Sequence, residues 1–546
     1  MVEIKITSPL WKPAPNDCFD TAPDFSPPPI LAGEAFACHV LIRDREAQFL
    51  KTPCSVRVQC DGCTDGVSLY RIGTVPVRTP CYPDSFDDGY LSCEAGLYHD
   101  VMYPTDGAEL YAPQRGFELL RIEVSLCREG DHRLTASVLP DNGSKGTTAG
   151  TAFEVLPTQL PVSDMFVTQW LHADCIAERY GLEPLSDRHF EYLERAVRCA
   201  VKNGISALYT PLFTPPLDTE IGGERLTVQL VGAYYDGGKW SFDYTDLDRW
   251  CDMGLRCGVK YFEMSHLFTQ WGAHHAPKII ASVNGVTKRV FGWETDAASD
   301  EYTGFLRVFL TDLLSHMRSR GLDSMCVFHI SDEPSAADAE SYRRAADSVR
   351  DVLAGYTVAD ALSDVSLYRS GACAHPIPGI DHAADFLEDI PKGLWVYYCC
   401  SQSVNVSNRF IAMPLSRVRV IGIQMWRHRV GGFLHWGYNF YNSQYSRYRI
   451  DPFVCTDGDY FAPAGDAFSV YPGDDGEVLM SLRLRAFREA LDDMRALEAA
   501  EAKCGRDAVI EAVEGEIGYE LTFDRYPTGD DYIFGVRRRV AELLKQ

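Results

Sequence analysis

Positive charge is scarce in this chain. Its 52 Lys and Arg stand against 77 Asp and Glu, a net charge of −25. That balance excludes partners recognised through basic patches, nucleic acid and anionic membrane surfaces alike. Long apolar runs are also missing, and none approaches the roughly 18 residues that a transmembrane helix needs. The first residues, MVEIKITSPLWKPAP, show no basic segment followed by an apolar one, so no secretory signal is read and a cytoplasmic location is expected. No G-x-G-x-x-G or P-loop pattern occurs, so no nucleotide cofactor is indicated. The absence of a G-x-S-x-G elbow removes support for a serine hydrolase.

Cysteine, by contrast, is plentiful. Eighteen of them would suit a disulfide scaffold in a short secreted chain, but here they are spread over 546 residues, which favours reduced thiols. Cys60 and Cys63 form CDGC, half of a zinc signature. No second C-x-x-C completes it, although Cys54, Cys81 and Cys93 lie in the same segment, and neither a metal nor a cofactor is expected. The vicinal Cys399 and Cys400 are read as reduced and partly buried.

At 546 residues the chain is too long for one compact core. Residues 1–157 carry short alternating runs, EAFACHVLIRD, SVRVQCDG and ELLRIEVSL, separated by turns such as PDNGSKG, which predicts a β-sandwich. EVLPTQLPVSD reads as a linker. In residues 158–546 strands and helices alternate. Eight strands are expected: MFVTQWLH, ISALYTP, VKYFEMSHL, SMCVFHIS, DVSLYR, GLWVYYCC, GFLHWGYN and AFSVYP. With helices such as DRHFEYLERAVRCAVKNG and SLRLRAFREALDDMRALEAAEA between or after them, they predict a (β/α)8 TIM-type barrel, with a tail from about Cys504 packed outside it. The fold class is thus multidomain, an all-β sandwich followed by a barrel.

Barrels of this kind keep their chemistry at the C-terminal ends of the strands. Those ends carry Trp170, His172, Asp174, Tyr209, Glu263, His266, Gln270, Trp271, Tyr397, Tyr398, Trp436, Tyr438 and Asn439. Aromatic faces interleaved with polar tips describe a carbohydrate pocket, because the apolar faces of sugars stack while their hydroxyls need directed partners. The fourth expected strand ends on HISDEPS, with Asp332 and Glu333 side by side. Acidic residues do favour a helix start, Pro334 suits a first turn, and Ser335 to Asp338 can form a capping box. That explains the acidity but not two carboxylates at a strand end facing the pocket. His172, Asp174 and His266 were the other conceivable metal set, and no metal is assigned to them.

SDEP at 331–334, WVYYC at 395–399 followed by NRF, GGFLHWGYN at 431–439 and PAGDAFSVYPG at 463–473 together resemble glycoside hydrolase family 123, the β-N-acetylgalactosaminidases. The resemblance implies that Asp332 and Glu333 are the catalytic pair, and that the sugar's own 2-acetamido oxygen attacks the anomeric carbon to give an oxazoline-like intermediate with retention. Glu333 is then the protonated general acid and Asp332 the ionised partner of the acetamido N–H. Pro334 is expected to hold Glu333 extended. Trp170, His172, Tyr209, His266, Trp271, Tyr397, Trp436 and Asn439 are the expected substrate contacts, with Tyr397 preferred to Tyr398 for the acetamido group. His435 and Gly437, which flank Trp436, depart from the family pattern and leave galacto against gluco preference open. The partner is a small glycan or oligosaccharide. A broader β-N-acetylhexosaminidase or another glycosidase is the alternative within enzymes, and a non-catalytic carbohydrate-binding protein the alternative outside them.

Overall fold

The computed structural model describes residues 2–63, 66–125 and 127–546. Two five-stranded sheets form the N-terminal region. One is ordered Val2–Thr7, Phe36–Asp44, Glu118–Val124, Val67–Val77 and Gly96–Thr105; the other Ile30–Ala32, Thr147–Gln159, Gly130–Pro140, Lys51–Cys60 and Leu110–Pro113. Alternation along the strands places Val40, Ile42, Val56, Leu120, Ile122, Ala136 and Val138 inside, all buried.

After it come eight parallel strands: β1 (Phe166–Gln169), β2 (Ala207–Thr210), β3 (Tyr261–Met264), β4 (Cys326–Phe328), β5 (Thr357–Ala361), β6 (His375–Ile377), β7 (Trp395–Tyr397) and β8 (Gly432–His435). They lie in two sheets, β1–β8–β7 and β2–β3–β4–β5–β6. At one seam the Ser206 N–H donates to Val167 O at 2.9 Å; at the other Tyr397 N–H donates to Pro378 O at 3.0 Å. The expected ring is therefore met in part, as two curled parallel sheets joined by a few hydrogen bonds at each seam. Helices α1 (Asp187–Lys202), α2 (Thr245–Cys257), α3 (Asp300–Ser319), α4 (Ala339–Val349) and α5 (Leu482–Cys504) are among those that cover the sheets.

Two expected strands are corrected. DVSLYR is a short helix, Val365–Arg369, because Asp364 caps it by accepting from the Ser366 N–H. AFSVYP contributes only Val470–Pro472, paired antiparallel with Val478–Met480 outside the parallel sheets. Their places are taken by β5, TVADA, and β6, HPI.

The two regions are not independent. One continuous buried cluster takes in Leu41, Tyr70, Ile72 and Leu119 from the sandwich with Leu193, Phe262, Phe487 and Leu497 from the second region. Buried charges cross the same boundary. Arg483 of α5 clasps Asp100 through two hydrogen bonds of 2.9 Å, and Tyr471 donates to the same carboxylate at 2.6 Å. Lys12 completes the set at 3.7 Å, with its pKa lowered to about 8 chiefly by burial. Nearby, Arg121 and Arg485 share Glu123, and Arg419 bridges Glu489 and Asp493. The tail helix, Asp530–Lys545, returns to the sandwich, where Arg537 meets Glu34 and Lys545 meets Glu154, each at 2.6 Å. Asp100→Ala leaves Arg483 without its buried counter-ion and is expected to lower stability by about 3–5 kcal/mol. Urea unfolding of the variant checks this; two separated transitions, one per region, would contradict a shared core.

Candidate active site

The site is built on a buried charged relay. Glu263 on β3 is fully buried and accepts from Trp170 Nε1 at 2.8 Å, from the Thr168 hydroxyl, and from His329 Nε2 at 2.8 Å. The other nitrogen of His329 lies 3.5 Å from Asp360 on β5. Burial opposes charge on that imidazole, but Asp360 and Glu263 together outweigh it and raise its pKa to about 10. His329 is thus an imidazolium between two carboxylates.

Asp360 also shapes the chain beyond β4. It accepts from the Ile330 N–H at 2.9 Å and the Ser331 N–H at 3.3 Å, while Tyr342 of α4 donates to its second oxygen at 2.6 Å. Ser331 Oγ donates to Thr269 O at 2.7 Å, the Trp271 N–H to Asp332 O at 2.8 Å, and the Glu333 N–H to Ala361 O at 3.0 Å. Every residue of the turn is pinned. Glu333 does not take the extended conformation expected before Pro334; its φ is +46°. The left-handed turn answers how neighbouring side chains, which diverge along a regular strand, both reach one cavity. The capping box of Ser335 with Asp338 is present immediately afterwards.

That cavity, about 180 Å³, is lined by both carboxyls and by Trp170, Trp271, Tyr397 and Trp436. Trp170 forms the buried floor, edge-on to His266 at 5.2 Å. Trp271 stands at the rim, 43% exposed, and meets Tyr445 edge-on at 6.0 Å. Trp436 is half-buried and its indole N–H donates to Asp466 at 2.9 Å. Asp218, Trp271, Glu333 and Tyr445 all line the cavity with positive φ; backbone strain of this kind, about 1–3 kcal/mol per residue, concentrates at functional sites. A larger cleft of about 620 Å³ lies among Glu178, Arg225, Arg447 and Arg449, but its Glu224 is neutralised by Lys278 and Arg289.

Burial lifts the Asp332 carboxyl well above the usual carboxylate range, and the charge of Glu333 lifts it further. Burial raises Glu333 as well, while the Tyr397 hydroxyl, donating to Oε1 at 2.6 Å, pulls it back. Both carboxyls are thus shifted toward the protonated form.

Four expected contacts do not line the cavity. Tyr209 is buried behind Trp170, with its hydroxyl 3.1 Å from His266 Nδ1, and His266 is equally buried. His172 and Asn439 clamp each other through backbone groups at 2.8 and 3.0 Å, and His172 Nε2 donates to Trp436 O at 2.9 Å. Arg225 binds Asp174 through two contacts of 2.8 Å and also reaches His172, so a guanidinium occupies the place a metal would take there. Tyr398 is buried away from the cavity, which leaves Tyr397 as the lining tyrosine. The sequence reading missed Asp218, whose carboxyl burial raises to about 7, and gave Gln270 no role. Both line the cavity, and Asp218 Oδ2 and Gln270 Nε2 have no partner among the described residues. Cys399 and Cys400 also line it as free thiols.

A sequence model of the glycoside hydrolase 123 catalytic domain matches residues 170–500. The chain belongs to glycoside hydrolase family 123. No curated protein sequence matches it significantly. Among solved structures, a family 123 glycoside hydrolase from Clostridium perfringens, described in terms of glycolipid glycan hydrolysis, is similar over 100% of this chain and 98% of its own, with 14% identity and a TM-score of 0.72. A Clostridium thermocellum xylanase (7% identity, 89% and 93% coverage, TM-score 0.33) and a Parabacteroides merdae β-glucuronidase (9%, 92% and 52%, 0.30) superpose too loosely to bear on the fold. Among the described residues no helix is long and apolar enough to cross a membrane.

The imidazolium makes a testable link to stability. Its folded pKa of about 10 lies above the ordinary 6.5, so its stabilisation is complete below pH 6.5 and is lost as pH climbs through 10. The stability loss in His329→Gln is expected to be greatest near pH 6 and to shrink toward pH 10. Denaturant unfolding of both proteins across that range reads it; a pH-independent difference would contradict the charged assignment.

Proposed function

We propose that this chain is a retaining glycoside hydrolase that releases terminal β-linked N-acetylgalactosamine, with the substrate's acetamido oxygen as nucleophile. The observation that carries the reading is the approach of Asp332 and Glu333, adjacent in sequence, to one cavity through a left-handed turn. An enzyme with its own nucleophile needs carboxyls about 5–5.5 Å apart on opposite sides of the scissile bond, whereas substrate-assisted hydrolysis needs one acid and one partner for the acetamido group on the same side.

An acetamido N–H placed against Asp332 favours the ionised form of that carboxyl, while burial keeps Glu333 raised as the proton donor. Glu333 donates it to the leaving oxygen and afterwards takes one from water. Ionised Asp332 stabilises the positive charge that grows on the acetamido nitrogen as its oxygen attacks. The Tyr397 hydroxyl can donate to Glu333 as carboxylate or accept from it as acid, and so supports both steps. Trp436 offers the stacking face, and Asp218 and Gln270 offer unpaired polar atoms for sugar hydroxyls. The cavity of about 180 Å³ is below the roughly 300–1,000 Å³ of drug-sized sites and suits one terminal sugar. Tyr209, His266, His172 and Asn439 act as positioning residues behind Trp170 and Trp436. We read the two parallel sheets as one closed (β/α)8 barrel, supported by the hydrogen bonds at both seams, with a domain boundary near residue 157. The substrate is a short glycan, an assignment in keeping with the glycolipid glycan described for the Clostridium perfringens relative.

Release from aryl β-N-acetylgalactosaminide should exceed release from the gluco epimer, and comparable rates on both would favour the broader hexosaminidase. Glu333→Gln is expected to lower kcat by about 10²–10⁴-fold while sugar binding persists. Unchanged turnover in that variant would refute the assignment. An oxazoline-mimicking thiazoline should inhibit competitively, and an active enzyme indifferent to it would exclude acetamido participation.

A further inference from the structure

The sandwich region carries a cluster that glycoside hydrolysis leaves unused. Strand Lys51–Cys60 ends on Cys60, and a turn returns Cys63, whose N–H donates to Cys60 O at 3.3 Å. Gly62 within it has φ +81°, which a side chain would resist. The neighbouring strand pairs Leu134 with Cys60, and so brings His132 over the same turn. The ligand atoms of Cys60, Cys63 and His132 lie within 4.8 Å of one another, and all three residues are buried. Cys127 reaches in from the preceding connection, with its Sγ 2.9 Å from Cys63 Sγ. All four stay clear of the residues lining the carboxylate cavity.

We propose that Cys60, Cys63, Cys127 and His132 bind one Zn²⁺ ion in a closed, tetrahedral, structural site. Three thiolates and an imidazole are a donor set of that class, and C-x-x-C on one segment with C-x-x-x-x-H on another is its spacing. Tetrahedral ligation with Zn–S near 2.3 Å sets sulfur atoms about 3.8 Å apart; the donor atoms of Cys60, Cys63 and His132 already lie within 4.8 Å of one another, and Cys127, beside Cys63, swings in to complete the set. Both nitrogens of the imidazole face backbone carbonyls. His132 Nδ1 lies 2.8 Å from Asp61 O and Nε2 lies 2.7 Å from Arg128 O. A carbonyl only accepts, so a neutral ring satisfies one of these two contacts and only an imidazolium satisfies both. For ligation the ring turns one nitrogen from its carbonyl to the ion and keeps the other N–H donated to a carbonyl, the usual outer-shell arrangement of a zinc histidine. The ring is already braced, stacked on Phe153 at 5.2 Å, which stacks on Phe36 at 3.9 Å.

Cys60, Cys63 and Cys127 are free thiols here. Zinc binding converts them to thiolates and releases a proton to solvent from each of the three cysteines. With all four positions filled by protein, the ion has no open site for substrate. Its effect is to tie the turn after Cys60 to the segment that begins at Cys127. The alternative chemistry, a Cys63–Cys127 disulfide, requires an oxidant and leaves Cys60 and His132 without a part.

The test is metal analysis of the untagged full chain purified without chelators. About one zinc per chain is expected, falling near zero in Cys63→Ser and in Cys127→Ser. Metal-free wild-type protein reconstituted with Co²⁺ should show the thiolate-to-cobalt charge-transfer absorption of several sulfur ligands, a reading independent of whether the variants fold. Zinc retained in a folded Cys63→Ser variant would overturn the proposal. So would wild-type protein that takes up neither metal, or one whose mass and thiol count reveal a Cys63–Cys127 disulfide.

Discussion

Glu263, His329 and Asp360 place two carboxylates and one imidazolium on three neighbouring strands, out of contact with water. A buried charge that loses its partner is strongly destabilising, so the relative positions of β3, β4 and β5 are fixed wherever these three meet. Trp170 is drawn to Glu263 from β1, and the chain beyond β4 is drawn to Asp360. Floor and left-handed turn of the cavity thus hang from the same charges. The left-handed turn at Glu333 persists because its own N–H, those of Ile330 and Ser331 and the Asp332 carbonyl are already committed. Local strain is held by interactions outside the strained residue.

The same economy governs the far wall. Polar residues that look like sugar contacts by type, His172 and Asn439, spend their hydrogen bonds on each other and on the backbone of Trp436. Arg225 and Asp174 close off the other side of His172. An aromatic platform is useful to a ligand only if its plane is set beforehand, because ordering a side chain on binding costs affinity. Within family 123 membership, the division between residues that touch the cavity and residues that hold those that do is the main content of this site.

How much of this was legible in the sequence follows from where each signal resides. The Asp332–Glu333 pair, the aromatics Trp170, Trp271, Tyr397 and Trp436, and six of the strands stand out because local pattern and strand-end position suffice to read them. β5 and β6 were not legible: TVADA carries a charge at Asp360 and HPI a proline at Pro376, features that argue against a buried strand until the partners of Asp360 are known. Asp218 sits in a loop whose approach to the cavity no periodicity announces. The restriction imposed by Pro334 was read correctly as a restriction and wrongly as extension, because the N–H of Glu333 and its Tyr397 partner decide the conformation. Cys127 and His132 lie too far along the chain from CDGC for spacing alone to join them.

The tail helix has a consequence for the order of events during synthesis. Arg537 is the buried counter-ion of Glu34, and some five hundred residues separate them. At about 5–20 residues per second, a ribosome takes on the order of a minute to deliver the arginine after the glutamate. Throughout that interval Glu34 lacks its arginine, and the face of the sandwich that will meet the tail helix remains uncovered. The N-terminal region of a nascent chain can therefore form its strands early but acquires its final surface only when the last helix arrives, so folding here is completed from the end of the chain backward.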